Sequence, residues 1–308
     1  MPAPSPHVRV QIDLSIIRAN VERIHADCGV PVIAVVKSDA YGHGLVEVAR
    51  AIADLVDRFC IFSAKEAADA SLWELTGKPA LAIGPPTFQS AQDYHEVHVR
   101  PAVSNAEQAD ALREALPILC IDTGQQRFAC PIENVADVLR TGDIHEAYTH
   151  ANSLEQVKLF ADAVADRTIF KHAAGSSLLD ESAARFDAVR PGLAIYRGAA
   201  RVSTRLVEVH ETRGPAGYSG FTAKRHGIIL VGYSQGLRHG PCRINGRDSR
   251  LLEVGMQSAF VELEAEDRVG DEVFLLGDGL TEHLVADAWN VSPHEALLRL
   301  VTSGVREY

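Results

Sequence analysis

The stretch VIAVVKSDAYGHG, residues 32–44, joins an apolar run to a lysine and then to a turn that contains two glycines. The run VIAVV is rich in β-branched and small residues, which predicts a buried strand. Lys37 follows at once. Burying a lysine is costly unless the amine is paired, deprotonated or covalently engaged. Two alternatives are therefore open at Lys37: an ammonium group that reaches water beyond the strand end, or a reactive amine.

Similar apolar runs recur along the first two thirds of the chain. The eight predicted strands are 32–37, 58–63, 79–84, 99–104, 117–122, 146–151, 168–174 and 188–196. The predicted helices between them are 45–56, 64–75, 105–116 and 153–165, which are Ala-rich or have apolar residues at helical spacing. This alternation predicts an α/β fold, a (β/α)8 TIM-type barrel. A doubly wound sheet is the alternative, but no G-x-G-x-x-G follows the first strand.

The pattern changes near residue 200, where short alternating strands replace the strand-and-helix units. The predicted strands of this part are 227–233, 242–247, 258–264 and 271–277, with Gly, Asn and Asp in the turns. A last helix is predicted from Ser292–Pro293 to Gly304. We therefore expect a barrel domain over 8–199 and a smaller, mostly β C-terminal domain over 200–308.

Composition narrows the classes of function. The chain has 308 residues and a net charge of −11, which argues against nucleic acid or an anionic membrane as the main partner. No apolar run approaches the roughly 20 residues that span a bilayer, and the first residues do not resemble a signal peptide. The five cysteines are scattered, which favours reduced thiols over a disulfide framework or a zinc site. A cytoplasmic protein without a metal is expected.

Several side chains with useful chemistry are expected at the carboxyl ends of the predicted strands. They are Lys37, Arg127, His150, Ser176 and Arg190. In a (β/α)8 barrel, the reactive groups come from the carboxyl ends of the strands. Each of these residues alone is more often a solvated or hydrogen-bonded surface group. Their coincidence on one rim favours a functional site, and a lysine in apolar surroundings can react with a carbonyl compound.

The motifs in this chain resemble those of the alanine racemase family. VVKSDAYGHG resembles the family's cofactor-lysine motif, and IDTGQQR (121–127), YTH (148–150), HAAGSS (172–177) and VRPGLAIY (189–196) follow in the family's order. In the last third, GYSGF, VGYSQG and VGMQS also have counterparts. The resemblance implies a barrel with a C-terminal β-domain, a homodimer with shared active sites, and racemisation of a small amino-acid substrate, most simply alanine for the bacterial cell wall.

The resemblance also implies a role for each matching residue. Lys37 would hold pyridoxal 5′-phosphate covalently, and Arg190 would face its ring nitrogen. The cofactor phosphate would be held by Tyr41, Ser176 and the backbone near Gly192 and Leu193. Backbone N–H groups at a loop or helix start suit a dianionic phosphate.

Racemisation needs proton transfer on both faces of the α-carbon, so two bases are expected. The resemblance assigns Lys37 to one face and Tyr218 of the partner subunit to the other, with His150, linked to Arg190, as the partner of Tyr218. The remaining assignments concern the substrate: Arg127 and the backbone at Met256 would bind its carboxylate, and Tyr233 of the partner would line the entrance.

The chain departs from the family pattern at four places. Cys120 replaces a lysine that is often carbamylated, Gly175 replaces an asparagine and Gln257 replaces an aspartate. Thr302, Ser303 and Gly304 stand where many members have a tyrosine, which favours a wider side-chain pocket. Three alternatives follow: a racemase of a larger amino acid, a cofactor-binding protein without turnover, and a decarboxylase. The last lacks its acidic and cysteine signatures here.

Overall fold

A computed structural model describes residues 4–87 and 90–308, so two positions of the predicted barrel domain lie outside the described residues. The chain forms two compact units. One contains residues 14–40 and 44–197, and the other contains the described residues up to Asp13, Tyr41–His43 and Gly198–Tyr308. The predicted division at 199 and 200 stays a prediction.

The first unit contains a parallel sheet of seven strands, which pair in sequence order. The strands are Ile33–Val35, Arg58–Ile61, Ala80–Ala82, Val99–Val103, Ile118–Cys120, Glu146–Tyr148 and Phe170–His172. They are shorter than predicted, and the first ends two residues before Lys37. An eighth segment bridges both edges of this sheet, because Val189 pairs with Val32 and Ala188 pairs with His172. The strand order is that of a (β/α)8 barrel.

Helices follow most of these strands. The helices of this unit are Leu14–Cys28, Leu45–Ile52, Ala64–Asp69, Leu72–Thr76, Ala91–Glu96, Ala106–Ala111, Val135–Gly142, Leu154–Ala163, Ser182–Arg185 and Leu193–Tyr196. The predicted helix 64–75 is split at Ser71, which has a left-handed φ of 45°. The predicted strand 188–196 is wrong in its second half, because Leu193–Tyr196 is helical. A short apolar run does not distinguish a strand from a buried helix.

The second unit is built on a mostly antiparallel sheet of nine strands. Its strands are Ser5–Ile12, Ala200–Arg205, Glu208–Glu211, Arg225–Ile229, Pro241–Ile244, Arg247–Val254, Ala259–Glu262, Glu272–Leu276 and Gly304–Glu307. The first strand of the chain belongs here, since it pairs with Ala200–Arg205 and, in parallel, with Gly304–Glu307.

Two helices, Glu282–Trp289 and Pro293–Val301, complete the second unit. The second of them begins where the sequence predicts, because Ser292 Oγ accepts a hydrogen bond from the N–H of Glu295 at 3.2 Å. It ends before Gly304, which starts the last strand. No helix among the described residues is long and apolar enough to cross a membrane.

Candidate active site

A pocket in the barrel unit gathers three of the residues that are expected at the carboxyl ends of strands. Lys37, Arg127 and His150 line it together with Cys120 and Tyr148. These residues follow or end different strands of the parallel sheet, and the carboxyl ends of parallel strands lie at one edge. The structure thus places an amine, a guanidinium and an imidazole around one cavity.

Lys37 is only partly exposed and begins a left-handed turn. Ser38 to Tyr41 have φ values between 53° and 56°, a conformation that is unusual for residues other than glycine. The backbone of this turn is tied down: the N–H of Ser38 donates to Glu66 Oε1 at 3.1 Å, and that of Ala40 donates to the carbonyl of Val36 at 2.8 Å. Burial, aided by the charges of Arg127 and Arg190, lowers the pKa of Lys37. A larger share of the amine is therefore neutral and nucleophilic.

The glycine after Tyr41 is required by close packing within the second unit. Gly42 has a φ of +84°, and an added Cβ would lie 2.6 Å from Val301 Cγ2. No other residue type fits there without movement. Tyr41 itself faces the ring of His294, with 5.8 Å between the ring centroids.

Arg190 is 3% exposed and fixed by three contacts. Nη1 donates to His172 Nδ1 at 2.7 Å, Nη2 donates to the carbonyl of Thr149 at 3.0 Å, and the guanidinium carbon lies 4.6 Å from the ring centroid of Tyr148. The charge of Arg190 also acts on Lys37. The predicted link between Arg190 and His150 stays a prediction, while His172 is the partner that these distances define.

A layer of charged side chains lies beneath this arginine. Glu146 accepts hydrogen bonds from Arg58 Nη1 at 2.8 Å, from Arg100 Nη1 at 2.5 Å and from His172 Nε2 at 3.0 Å. Arg58, Arg100 and Glu146 come from the second, fourth and sixth strands of the barrel. These strands are not neighbours in the sheet, so the side chains meet across the barrel interior, where alternate strands fill one layer.

Ser176 forms a polar cluster with the start of helix Leu193–Tyr196. Its Oγ accepts hydrogen bonds from the N–H groups of Gly192 and Ala194, both at 3.0 Å. A hydroxyl oxygen that accepts twice still has its own proton to donate. The neighbouring Gly175 leaves space, because an added Cβ would meet only the carbonyl oxygen of Arg190, at 4.0 Å.

Cys120 is buried, as are the four other free cysteines. Burial raises the pKa of Cys120 to about 11, although a hydrogen bond with Tyr148 opposes the rise. Within residues 4–87 and 90–308, the exposed Arg127 forms no ion pair, and its guanidinium lies 5.8 Å from the ring centroid of Phe128. The thiol thus does not supply the negative charge that a carbamylated lysine would give this arginine.

Tyr218 lies on an exposed turn of the second unit. The turn is closed by a bridge between Ala216 and Phe221, and the phenol side chain is fully exposed. Glu253 fixes the backbone, because its Oε1 accepts from the N–H of Tyr218 at 3.0 Å and its Oε2 from that of Ser219 at 2.7 Å. An added Cβ at Gly217 would lie 2.6 Å from this carboxylate.

Tyr233 and Met256 lie on two loops that hydrogen bonds hold together. The N–H of Tyr233 donates to the carbonyl of Gly255 at 2.9 Å, and Ser234 Oγ donates to the carbonyl of Met256 at 2.6 Å. Both side chains are exposed. Glu253, which holds the Tyr218 turn, is in the same chain segment. The three predicted residues of this unit are therefore tied to one segment, Glu253–Met256.

The sequence reasoning gave no role to His172, Glu146 or Tyr148. The signal that could have found them is the position of Arg58, Arg100 and Glu146 within apolar strands, since charged side chains inside a barrel must be paired. Among the described residues, no group of three or more His, Cys, Asp or Glu side chains could hold a metal ion.

Fold and site together define a class of protein: a barrel with a lysine of lowered pKa at the end of its first strand, joined to a β-domain. The family described as "Alanine racemase, N-terminal domain" matches residues 12–200, and the chain belongs to this family. A relative from Pasteurella multocida named alanine racemase is 29% identical and covers 90% of this chain and 91% of its own. The biosynthetic alanine racemase of Escherichia coli is 27% identical, with coverages of 97% and 98%.

Solved structures of the same family have the same fold. Alanine racemase from Bartonella henselae, solved with covalently bound pyridoxal phosphate, has a TM-score of 0.88 at 20% identity and covers 99% of this chain and 100% of its own. The biosynthetic enzyme from Pseudomonas aeruginosa has a TM-score of 0.87 at 24% identity, with coverages of 99% and 99%. The predicted fold class, the predicted family and the predicted enzyme class, an amino-acid racemase, are confirmed.

Proposed function

We propose that this protein is a pyridoxal-phosphate-dependent alanine racemase that interconverts L- and D-alanine. The observation that carries the proposal is Lys37, an amine of lowered pKa in a pocket that also contains Arg127 and His150. A neutral lysine can bind an aldehyde covalently, and a neighbouring arginine suits a carboxylate.

The residues present fit this cofactor. Lys37 offers the amine, and Ser176 keeps a hydroxyl proton to donate to the phosphate while its Oγ accepts from the N–H groups of Gly192 and Ala194. The backbone near Gly192 and Leu193 is the remaining part of the proposed phosphate site. The assignment of Tyr41 to the phosphate stays a prediction from the family resemblance. When bound, the cofactor withdraws electrons from the α-carbon of the amino acid and so acidifies its proton.

Arg190 would determine the protonation at the ring nitrogen of the cofactor. A guanidinium keeps its proton at all relevant pH values, so it donates a hydrogen bond and leaves the nitrogen that faces it unprotonated. Its orientation is fixed by His172, Thr149 and Tyr148. This limits electron withdrawal and disfavours a long-lived carbanion and its side reactions.

The two proton-transfer groups are Lys37 and Tyr218. Lys37 removes or returns the proton on one face of the α-carbon, and Tyr218 of a second subunit acts on the other face. A tyrosine has an ordinary pKa near 10, and His150, at the rim of the pocket, is its proposed hydrogen-bond partner. The full exposure of Tyr218 supports a role outside its own unit.

The protein is accordingly proposed to be a homodimer with shared sites. Tyr218, Tyr233 and Met256 are all exposed and all tied to the segment Glu253–Met256. Aromatic and methionine side chains are enriched at interfaces between proteins. Arg127 binds the substrate carboxylate, and Met256 contributes its backbone. The enzyme would act in the cytoplasm.

The test is α-proton exchange in heavy water. The protein is incubated with pyridoxal phosphate and L-alanine, and the α-proton signal and the chirality are followed together. We expect loss of the α-proton together with formation of D-alanine. No exchange with alanine but exchange with a larger amino acid would assign a different substrate. No exchange with any amino acid, despite a cofactor absorbance band, would indicate a binding protein without turnover.

Replacing Tyr218 separates the two bases. In Tyr218→Phe, racemisation should fall roughly a hundredfold or more, because a positioned acid or base contributes about that factor. Washout of the α-proton should persist, with retained chirality, for the one enantiomer whose proton Lys37 removes, and should be lost for the other. Stability should be unchanged, since the phenol is fully exposed. Full racemisation by this variant would contradict the role of Tyr218.

A further inference from the structure

A buried layer inside the barrel, formed by the side chains of Arg58, Arg100, Glu146 and His172, determines which ring nitrogen of His172 carries the proton. Arg190 Nη1 lies 2.7 Å from His172 Nδ1. A guanidinium can only donate hydrogen bonds, so Nδ1 must accept and cannot carry a proton. The imidazole proton therefore lies on Nε2, which faces Glu146 Oε1 at 3.0 Å. An ionised carboxylate can only accept, and so it stabilises this tautomer.

Glu146 is ionised in these surroundings. It is 3% exposed, and burial alone would favour the neutral acid. The hydrogen bond from His172 and the charges of His172, Arg58 and Arg100 nevertheless lower its pKa to about 2. Burial and the charge of Arg190 lower the pKa of His172 to about 4, against the pull of Glu146. The pair is thus a carboxylate and a neutral imidazole at neutral pH.

We infer that Glu146 is a positioning residue for the reaction: it fixes the Nε2-protonated tautomer of His172, whose Nδ1 then holds the Arg190 guanidinium in one orientation. The inference rests on the proposed function only in that Arg190 faces the cofactor. Glu146 itself touches neither the cofactor nor the substrate in this proposal. It acts only through the imidazole of His172. Glu146 itself belongs to the layer of side chains that the second, fourth and sixth strands place inside the barrel.

The substitution Glu146→Gln tests whether Glu146 determines the tautomer of His172. Arg58 Nη1 lies 2.8 Å from both carboxylate oxygens and does not distinguish them, whereas Arg100 Nη1 donates to Oε2 at 2.5 Å. The amide oxygen of glutamine would therefore take that position, which leaves its NH2 group facing His172 Nε2. The imidazole would then carry its proton on Nδ1. Two donors, Nδ1–H and Arg190 Nη1–H, would face each other, and Arg190 would have to move.

The first measurement is the tautomer of His172 by 15N NMR on protein without cofactor, with histidine-labelled samples and His172→Gln to assign the signal. We expect Nε2–H in the wild type and Nδ1–H in Glu146→Gln. Glu146→Asp, which keeps a carboxylate, should retain Nε2–H. A wild-type His172 protonated on Nδ1 would overturn the inference without any variant, even if the variants fail to fold.

The second measurement is turnover per bound cofactor. We expect kcat of Glu146→Gln to fall roughly ten- to hundredfold, as for other partners that orient a reacting group indirectly, with KM for alanine changed less than threefold because Arg127 binds the carboxylate. A purely structural role would lower the yield of folded protein but not kcat per site. An unchanged kcat, or a retained Nε2–H tautomer in Glu146→Gln, would contradict the inference.

A matched control uses another carboxylate of the same network. Asp57 Oδ2 accepts from Arg58 Nε at 3.0 Å but is exposed and does not touch His172. Asp57→Asn should leave the tautomer and kcat as in the wild type. If the wild-type protein shows the expected tautomer but racemises no amino acid, the proposed function fails, while the NMR result still decides the role of Glu146 on Arg190.

Discussion

Glu146 and Glu253 each anchor a residue of the proposed active site, but they do so under opposite conditions. Glu146 is inside the barrel and accepts hydrogen bonds from two arginines and a histidine. Glu253 is in a partly exposed segment of the second unit and accepts from two backbone N–H groups. The first holds a guanidinium through an imidazole, and the second holds the turn that carries Tyr218.

The difference lies in what each carboxylate must compensate. Arg58 and Glu146 are largely removed from water, with side-chain exposures of 12% and 4%, so each charge depends on the other. The N–H groups of Tyr218 and Ser219 are at the surface, where water can replace a lost acceptor. Glu146 should therefore contribute to both folding and catalysis, whereas Glu253 should contribute to catalysis with little effect on folding.

Removing the carboxylate of Glu146 and that of Glu253 in separate variants should give the largest difference in the free energy of unfolding. Glu146→Ala removes the carboxylate that two partly buried arginines share and the acceptor of His172 Nε2, and the free energy of unfolding should fall by about 3–5 kcal/mol. Glu253→Ala should cost about 1 kcal/mol or less, since exposed hydrogen bonds contribute little. Urea unfolding of both variants measures the contrast directly.

Asp57→Ala is the control for these unfolding measurements. Asp57 pairs with the same arginine, Arg58, from an exposed position. Its removal should change stability by less than about 0.5 kcal/mol. If Glu146→Ala proved as mild as Asp57→Ala, the buried layer would not be the charged unit that its distances indicate.

How far the sequence predicted the fold can be judged from particular segments. The strand positions were recoverable because β-branched runs alternate with Ala-rich helices at a spacing that few folds share. The structure of two segments could not be predicted in this way. Leu193–Tyr196 is a helix in what reads as a continuous apolar strand, and Ser5–Ile12 joins the nine-stranded sheet although it precedes the barrel. Its parallel partner, Gly304–Glu307, lies almost three hundred positions further along the chain, and pairing over that separation leaves no local pattern.

For the site, the sequence predicted the residues at the strand ends. It did not predict the side chains that hold those residues in place through hydrogen bonds. Lys37, Arg127 and His150 share a pocket, as strand-end positions in a barrel should. The pairing of Arg190 with His172, and of His172 with Glu146, depends on which strands face each other across the interior. Glu253 was equally hidden, because side chain-to-backbone hydrogen bonds across 34 or 35 positions have no sequence signature.

The buried layer should also respond to acid. The pKa of His172 is lowered to about 4 in the folded protein, against an ordinary value of about 6.5. Between these values the unfolded chain takes up a proton that the folded chain does not, so stability is present above about pH 6.5 and is lost as the pH falls towards 4. From pH 7 to 5 this group should cost about 1–2 kcal/mol, measured as the difference between wild type and His172→Gln.

The control for the pH series is His226, a histidine of the second unit whose pKa burial also lowers. It is less enclosed than His172, so His226→Gln should remove a smaller part of the pH dependence. The lowered pKa of Glu146, about 2, adds a further loss below about pH 4.5. An equal pH dependence of stability in the wild type and His172→Gln from pH 7 to 5 would show that the pKa of His172 is not lowered in the folded protein.

The smallest expected effect is that of Glu253→Gln on turnover. The two N–H groups use different oxygens of the carboxylate, Oε1 for Tyr218 and Oε2 for Ser219. Glutamine keeps one acceptor, so one N–H faces an NH2 group and the turn loses about 0.5–1 kcal/mol of restraint. We expect kcat to fall about two- to fivefold with no change in stability, and amide exchange at Tyr218 and Ser219 to accelerate.

Glu262→Gln, which alters an exposed pair with Arg250 on the same sheet, should change neither kcat nor this amide exchange. Faster exchange without loss of kcat would mean that Tyr218 finds its position from the partner subunit and not from Glu253, which would confine the fixed geometry of the site to the barrel.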